Sequence, residues 1–347
     1  MLEEFKKALE RRKLSKITIQ NYIKGLKIVE IFIKKPIEKA DKKDLERFID
    51  SISERKPNTI RQRITTLKIF FKWLKKPEIA DFPMPKKDGN NLLSSDLLSE
   101  DDIEKMVNIA DNPRDKALLN VLFDSACRKS EILNLNIEDF VADSDGTGYI
   151  CVDGKTGKRQ VPLSFSIPSL KAWLNNHPFK NKTDSPMFIA TKQSFGHRLS
   201  DSTLEMIIKG CAKKSKVNKN VFCHLFRHSR LTDLDKKGLS HTAMKYFAGW
   251  SKNSNMPSVY SHFSAQDTKE LIYEADGITQ PKIKKKIIEP INCFKCNTPN
   301  DKTNKYCYVC GMPLDEDSQK ELEAKKEFLK ICFEPDIWKV LQEKIKR

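Results

Sequence analysis

Four short stretches lie far apart in this chain and make chemical sense only together, so any fold for it must bring them to one place. They are Cys127-Arg128-Lys129-Ser130-Glu131, Gly154-Lys155-Thr156-Gly157-Lys158, His224-Leu225-Phe226-Arg227-His228, and Gly249-Trp250 followed later by Tyr260. Two arginines can clamp a phosphate with paired N–H donors. A lysine and a histidine can move protons, and a tyrosine hydroxyl can attack phosphorus. Such a set suits breaking a phosphodiester with no metal and no nucleotide, because the ester's energy is kept in a phosphotyrosine bond. Singly, each residue has a plainer reading: an arginine as surface charge, a tyrosine as a core aromatic. The weight lies in their order and combination.

Arg128 and Arg227 can each donate two hydrogen bonds to the nonbridging oxygens of a phosphate. Lys155, on a tight Gly-Lys-Thr-Gly turn, can protonate a departing oxygen, with Lys158 as the fallback. His224 and Arg227 are three residues apart, so on a helix they face the same way. His224 can then accept the tyrosine proton or hold the phosphate. Trp250 offers one indole N–H and apolar cover. Glu131, three residues after Arg128, can orient the histidine or an arginine.

The charge balance says what such a site meets. Lys+Arg 64 against Asp+Glu 47 leaves a net charge of +17 over 347 residues, which favours a polyanion as partner. An anionic membrane surface is the competing partner. Against it stand the lack of a long apolar run, a signal peptide or a lipidation motif. The expectation is a soluble protein of the cytoplasm, associated with the nucleoid.

Periodicity predicts a mainly α chain with a small β-sheet, an α+β class. Residues 1–82 read as a helical domain. Ser15 caps a helix carrying Ile19, Tyr22, Ile23, Leu26, Val29 and Ile33; Asp41 opens a short helix; Asn58 precedes a longer one through Leu74. On that last helix Arg61, Lys68, Lys72 and Lys75 form a basic stripe, the pattern needed to neutralise phosphates along a groove, or else a solvated face. Residues 83–96 are an expected linker, and 97–275 a larger domain. In it Ser99 starts a helix, residues 113–126 form an apolar helix, and two strands flank the Gly-Lys-Thr-Gly turn. Residues 276–289 are a basic linker, 290–315 a cysteine-bearing module, and 316–347 an amphipathic helical segment.

Nine cysteines, four of them clustered, point to a metal site rather than a disulfide framework. Cys293-x-x-Cys296 and Cys307-x-x-Cys310 supply four thiolates at the spacing of a zinc ribbon. One structural zinc ion is expected, since four cysteines leave no open position for catalysis. Metal binding would supply the folding energy of so short a piece.

From Leu97 to about Ser264 the chain resembles the catalytic domain of the tyrosine recombinases, the phage-integrase and Xer-like group. Ser125 to Leu133 is similar to the family's first arginine motif, and Gly154 to Leu163 to its β-hairpin lysine motif. His224-Leu225-Phe226-Arg227 is similar to its His-x-x-Arg box, and Tyr260-Ser261-His262 to its nucleophile segment. Leu14-Ser15, Thr18, Tyr22 and Leu26 resemble its core-binding (SAM-like) domain. Trp250 stands where many members have histidine. The Trp250–Tyr260 spacing is one residue longer than the bacterial pattern, and the segment resembles archaeal integrases. The resemblance implies a site-specific DNA recombinase or integrase of a mobile element or virus, acting on double-stranded DNA through a 3′-phosphotyrosyl intermediate. It implies monomers in solution and a homo-tetramer on paired sites, with cleavage in cis or in trans left open. Two alternatives remain. One is a DNA-relaxing enzyme of the type IB topoisomerase kind. The other is an inactive zinc-ribbon DNA-binding regulator.

Overall fold

The computed structural model describes residues 1–87, 92–143, 147–192, 194–260, 291–300 and 304–332. Its contacts divide the chain into Met1–Asn91 and Leu92–Arg347.

The first unit is four helices: α1 Leu2–Arg11, α2 Lys16–Ile33, α3 Lys42–Ser51 and α4 Pro57–Trp73. Their apolar faces close on Phe5, Leu9, Leu26, Val29, Leu45, Phe48, Ile64, Leu67, Phe70 and Phe71, all buried. The caps are those the sequence calls for. Ser15 Oγ accepts from the Thr18 N–H at 3.2 Å, and Asp41 and Asp44 cap each other's backbone at 2.9 and 3.0 Å. Helix α4 begins one residue before Asn58, on Pro57, whose fixed φ suits a first turn. It stops at Trp73, so Lys75 lies beyond it, in left-handed conformation with φ 59°. The stripe is therefore shorter than predicted. Arg61 donates to the Pro85 carbonyl, Lys68 pairs with Asp81 at 3.6 Å, and Lys72 and Lys75 are exposed.

The second unit begins with α5 Glu100–Asn108, α6 Pro113–Ser125 and α7 Lys129–Asn134. A sheet follows, of β1 Phe140–Ala142, β2 Gly148–Gly154 and β3 Gly157–Leu163, antiparallel in that order. The short β1 is a strand the periodicity does not reveal, three residues being too few to alternate. Then come α8 Ile167–Asn175, α9 Asp201–Lys214, α10 Cys223–Lys236 and α11 His241–Ala248. Helix α6 is central and buried from Ala117 to Ser125. Its Asp124 carboxylate accepts from the backbone and hydroxyls of Ser164 and Ser166 at 2.7–3.1 Å, and pairs with Arg230 at 3.4 Å. That one buried charge, fully partnered, locks the chain leaving β3 against α6 and α10.

Further on, β4 Ile291–Asn292 pairs with β5 Pro299–Asn300, and α12 spans Glu316–Cys332. The part of the expected 97–275 domain after Tyr260, the 276–289 linker and the chain after Cys332 lie outside the described residues.

Asp44 generates a test of the first unit. Its carboxylate is 3% exposed, bonds Lys35 and Arg47, and sits at about 2, below the ordinary 3.8, with the Lys35 bond as the main cause. A depressed folded value means its contribution is whole above 3.8 and lost as pH falls toward about 2. Asp44→Ala is expected to cost about 1–2 kcal/mol at neutral pH. In urea melts of the first unit the wild-type advantage should shrink across that acid window; a pH-independent difference would refute the assignment.

Candidate active site

Two helix ends build the pocket. Helix α6 ends at Ala126, a non-glycine residue at φ 47°, and the chain turns through Cys127 to Arg128, which caps α7. Helix α11 ends at Gly249, φ 63°, with Gly249 N–H on Tyr246 O and Trp250 N–H on Lys245 O at 3.1 and 2.9 Å. That is the double bond pattern of a glycine-terminated helix, and it throws Trp250 out of the helix toward the site. Arg227, on α10 and 2% exposed, joins the two ends: Nη1 donates to Ala126 O at 2.8 Å and Nη2 to Ala248 O at 2.7 Å.

Arg128 lies beside it. Its Nη1 donates to Glu131 Oε1 at 2.8 Å and its Nη2 to Gly249 O at 3.0 Å. Glu131, predicted as an orienting residue, takes the arginines and not a histidine. Burial alone would raise its carboxyl, but donors from Arg159 and Arg128 outweigh this and hold it at about 2. The hairpin comes to the same carbonyl: Thr156 Oγ1 donates to Gly249 O at 3.2 Å, so the two-residue turn bearing Lys155 is tethered to the end of α11. Lys155 is exposed at the tip, and Lys158 faces outward on β3.

Tyr260 is 2% exposed, its ring between Trp250 and His228, with centroids 5.3 and 5.1 Å away and planes 29° and 28° apart. Arg227 also stands 5.5 Å from the Trp250 ring. His224 meets His228 edge to face at 4.7 Å. Burial raises the Tyr260 hydroxyl above its ordinary 10, and the Arg227 charge and hydrogen bond offset this only in part. Burial first, then the charges of Arg227 and Arg128, hold His224 below 6.5. A neutral imidazole therefore shares the pocket with a protonated phenol. Together these groups can bind a phosphate between two guanidinium groups, deprotonate a phenol and protonate a leaving oxygen.

The structure thus brings Arg128, Glu131, Arg227, Trp250 and Tyr260 together, with His224 one ring away through His228. Sequence reading passed over three contributors. His228 had a signal, its i, i+4 spacing from His224. Arg159 had one too, a charge at an inward position of an alternating strand beside Val161 and Leu163. Thr156 had none.

The cysteine cluster is a separate site. The Sγ atoms of Cys293, Cys296, Cys307 and Cys310 all lie within 4.8 Å of one another; Cys293–Cys310 is 3.6 Å and Cys296–Cys307 is 3.5 Å. Thiolates ~2.3 Å from a tetrahedral ion stand roughly 3.8 Å apart, so the set fits a metal ion and is too open for disulfides. Each knuckle turns on a left-handed residue just after its second cysteine, Asn297 at φ 54° and Gly311 at φ 69°.

Residues 96–267 match the phage integrase family, and residues 1–81 the N-terminal SAM-like domain of phage integrases. The tyrosine recombinase XerA of Pyrococcus horikoshii is 29% identical over 295 residues, covering 79% of this chain and 93% of that one. The tyrosine recombinase XerC of Bacillus subtilis is 24% identical over 274 residues, covering 73% and 88%. Two solved structures share the fold. The XerH site-specific recombinase in a post-cleavage complex with a difH substrate has a TM-score of 0.58 at 23% identity, covering 79% and 84%. A lambda integrase tetramer bound to a Holliday junction has a TM-score of 0.58 at 17% identity, covering 75% of each chain. The chain belongs to the phage integrase family, the tyrosine recombinases. No described helix is long and apolar enough to cross a membrane.

The arginine field on His224 is directly measurable. In an NMR pH titration the His224 ring should titrate below 6.5. Arg128→Ala removes one of the two charges and should move that midpoint up toward the ordinary value. An unshifted midpoint would show that burial and Arg227 set it without Arg128.

Proposed function

We propose that the chain is a site-specific DNA recombinase that cuts and rejoins double-stranded DNA through a 3′-phosphotyrosyl intermediate. One observation carries this: Arg227 bonds both helix ends and stands 5.5 Å from the Trp250 ring that stacks on Tyr260, so clamp and nucleophile share one pocket. The Tyr260 oxygen forms a bond to phosphorus as the 5′ oxygen leaves. The phenol proton passes to His224, or through it to a phosphate oxygen. Lys155 gives a proton to the departing 5′ oxygen. Arg128 and Arg227 stabilise the charge that builds on the nonbridging oxygens, and Trp250 closes the pocket on one side. Two of Arg227's five N–H donors hold backbone carbonyls, leaving others for oxygen ligands. In the reverse step a DNA 5′-hydroxyl attacks the phosphotyrosine and releases the tyrosine. Neither step consumes a nucleotide or needs a metal.

On paired DNA sites the working unit is a homo-tetramer, formed from monomers and acting in the cytoplasm with the nucleoid. Lys72 and Lys75 are its candidate phosphate contacts in the first unit. Lys68 can join them by exchanging Asp81 for phosphate, because exposed ion pairs are weak, and Arg61 by exchanging the neutral Pro85 carbonyl for a charged acceptor. The cysteine cluster holds one structural zinc ion, and the module around it is an accessory contact to DNA or to a neighbouring protomer.

Tyr260→Phe should bind DNA normally and form no covalent adduct on a nicked suicide substrate; an adduct in that variant would move the nucleophile to Tyr246. Lys155→Ala should be restored by a 5′-thio leaving group, which needs little protonation, whereas Arg128→Ala should not; equal failure on both substrates moves the acid to Lys158. An exchange assay with two sites separates recombination from relaxation of supercoils: relaxation without exchange would favour the topoisomerase reading.

Zinc is tested apart from the chemistry. Cys307→Ser should lose the metal by elemental analysis while cleavage of a saturating suicide substrate survives. Unchanged DNA affinity and exchange in that variant would deny the module its accessory role.

A further inference from the structure

We propose that Arg159 is a positioning residue for strand cleavage: it fixes the Glu131 carboxylate, and through Glu131 and the Phe247–Gly249 backbone it aims Arg128 at the phosphate. The inference rests on the strand-cleavage reading above and adds a residue that takes no part in the proton or phosphoryl transfers.

The contacts form a closed circuit. Arg159 and Glu131 are buried, 9% and 2% exposed. Their pairing is bidentate: Nη1 to Oε1 at 3.1 Å and Nη2 to Oε2 at 2.9 Å. The third arm, Nε, donates to Phe247 O at 3.1 Å. Glu131 also accepts from Arg128, Oε1 from its side chain at 2.8 Å and Oε2 from its backbone N–H at 2.9 Å. Each carboxylate oxygen therefore serves both arginines. The other arm of Arg128 rests on Gly249 O at 3.0 Å. Both anchors of Arg128, the carboxylate and the Gly249 carbonyl, are thus held by Arg159 or by the segment it bonds.

The space around the guanidinium is cleared for it. A Cβ at Gly249 would stand 2.6 Å from Arg159 Nη1, and one at Gly154 would run into Glu131 Oε1. Lysine can replace only the charge of this arginine: a planar fork alone reaches two carboxylate oxygens and a carbonyl at once. The alternative arrangement is equally definite. Without Arg159, the buried carboxylate keeps Arg128 as its remaining charged partner. Arg128 then satisfies both oxygens itself, releases Gly249 O and turns from the phosphate.

A double-mutant cycle tests this in the full chain. Covalent adduct formation is measured in single turnover on a nicked suicide substrate at saturating protein, with DNA affinity and melting temperature recorded for each variant. Arg128→Ala should lower the rate on the order of 10²–10³-fold. Arg159→Met should lower it on the order of 10–10²-fold at unchanged affinity, and should add no further loss in the Arg128→Ala background. Arg159→Lys should recover part of the rate. Equal losses in both backgrounds, or an unchanged rate for Arg159→Met alone, would overturn the proposal. Should Arg159→Met not fold, Glu131→Gln and Arg159→Lys carry the same cycle with the same criteria. A readout independent of activity is the pattern of Arg128 side-chain N–H signals, divided between Glu131 and Gly249 O in wild type and shifted to that of a bidentate Glu131 pair in Arg159→Met; an unmoved pattern also overturns the proposal. A wild-type protein that forms no tyrosyl adduct removes the strand-cleavage reading, while that pattern still decides whether Arg159 holds Arg128.

Discussion

The site depends on one buried cation. Arg227 places its two terminal nitrogens on the carbonyls that end α6 and α11. An interior guanidinium carries a heavy desolvation cost, offset only when its donors are met and its charge is balanced. Here the partners are main-chain carbonyls, the face of Trp250 and, across the pocket, the Glu131 carboxylate. Helices end with unpaired carbonyls, so two such ends pointing inward would be a defect without a donor between them. The arginine proposed to clamp the phosphate is also the one that makes this geometry tolerable. Ala126, left-handed at φ 47° without a glycine's freedom, shows the same pull: its carbonyl faces Arg227 at the expense of a relaxed backbone.

Electrostatics follow from that frame. Arg128 and Arg159 converge on one buried carboxylate and Arg227 adds a third charge to the same pocket, so the pocket is left positive before any ligand arrives. Positive charge fixed in place by hydrogen bonds needs little rearrangement when charge builds on a phosphorane, which is where preorganisation lowers a barrier. Burial, and after it the same field, keep His224 neutral and able to take a proton, while burial keeps the Tyr260 hydroxyl protonated.

Much of this was legible in the sequence, for local reasons. Ser15, Asp41 and Ser99 announce helix starts because a side-chain oxygen three residues before a free N–H is a local event. The Gly-Lys-Thr-Gly turn announces its hairpin for the same reason. The arginines, Lys155, His224, Trp250 and Tyr260 could be named from motif order, and the cysteines from their spacing. What escaped was set by tertiary contact. Thr156 matters because a carbonyl from α11 happens to reach it. Arg159 was passed over, although its inward register beside Val161 carried the clue. The end of α4, and with it the place of Lys75, does not follow the helical spacing of the lysines, for the chain turns left-handed at Lys75.

Among the described residues, every side chain of the pocket comes from the stretch between Ala126 and Tyr260, and none from the four-helix unit that opens the chain. A gene for such a protein can therefore exchange its first quarter in a single fusion event and keep its reaction chemistry whole.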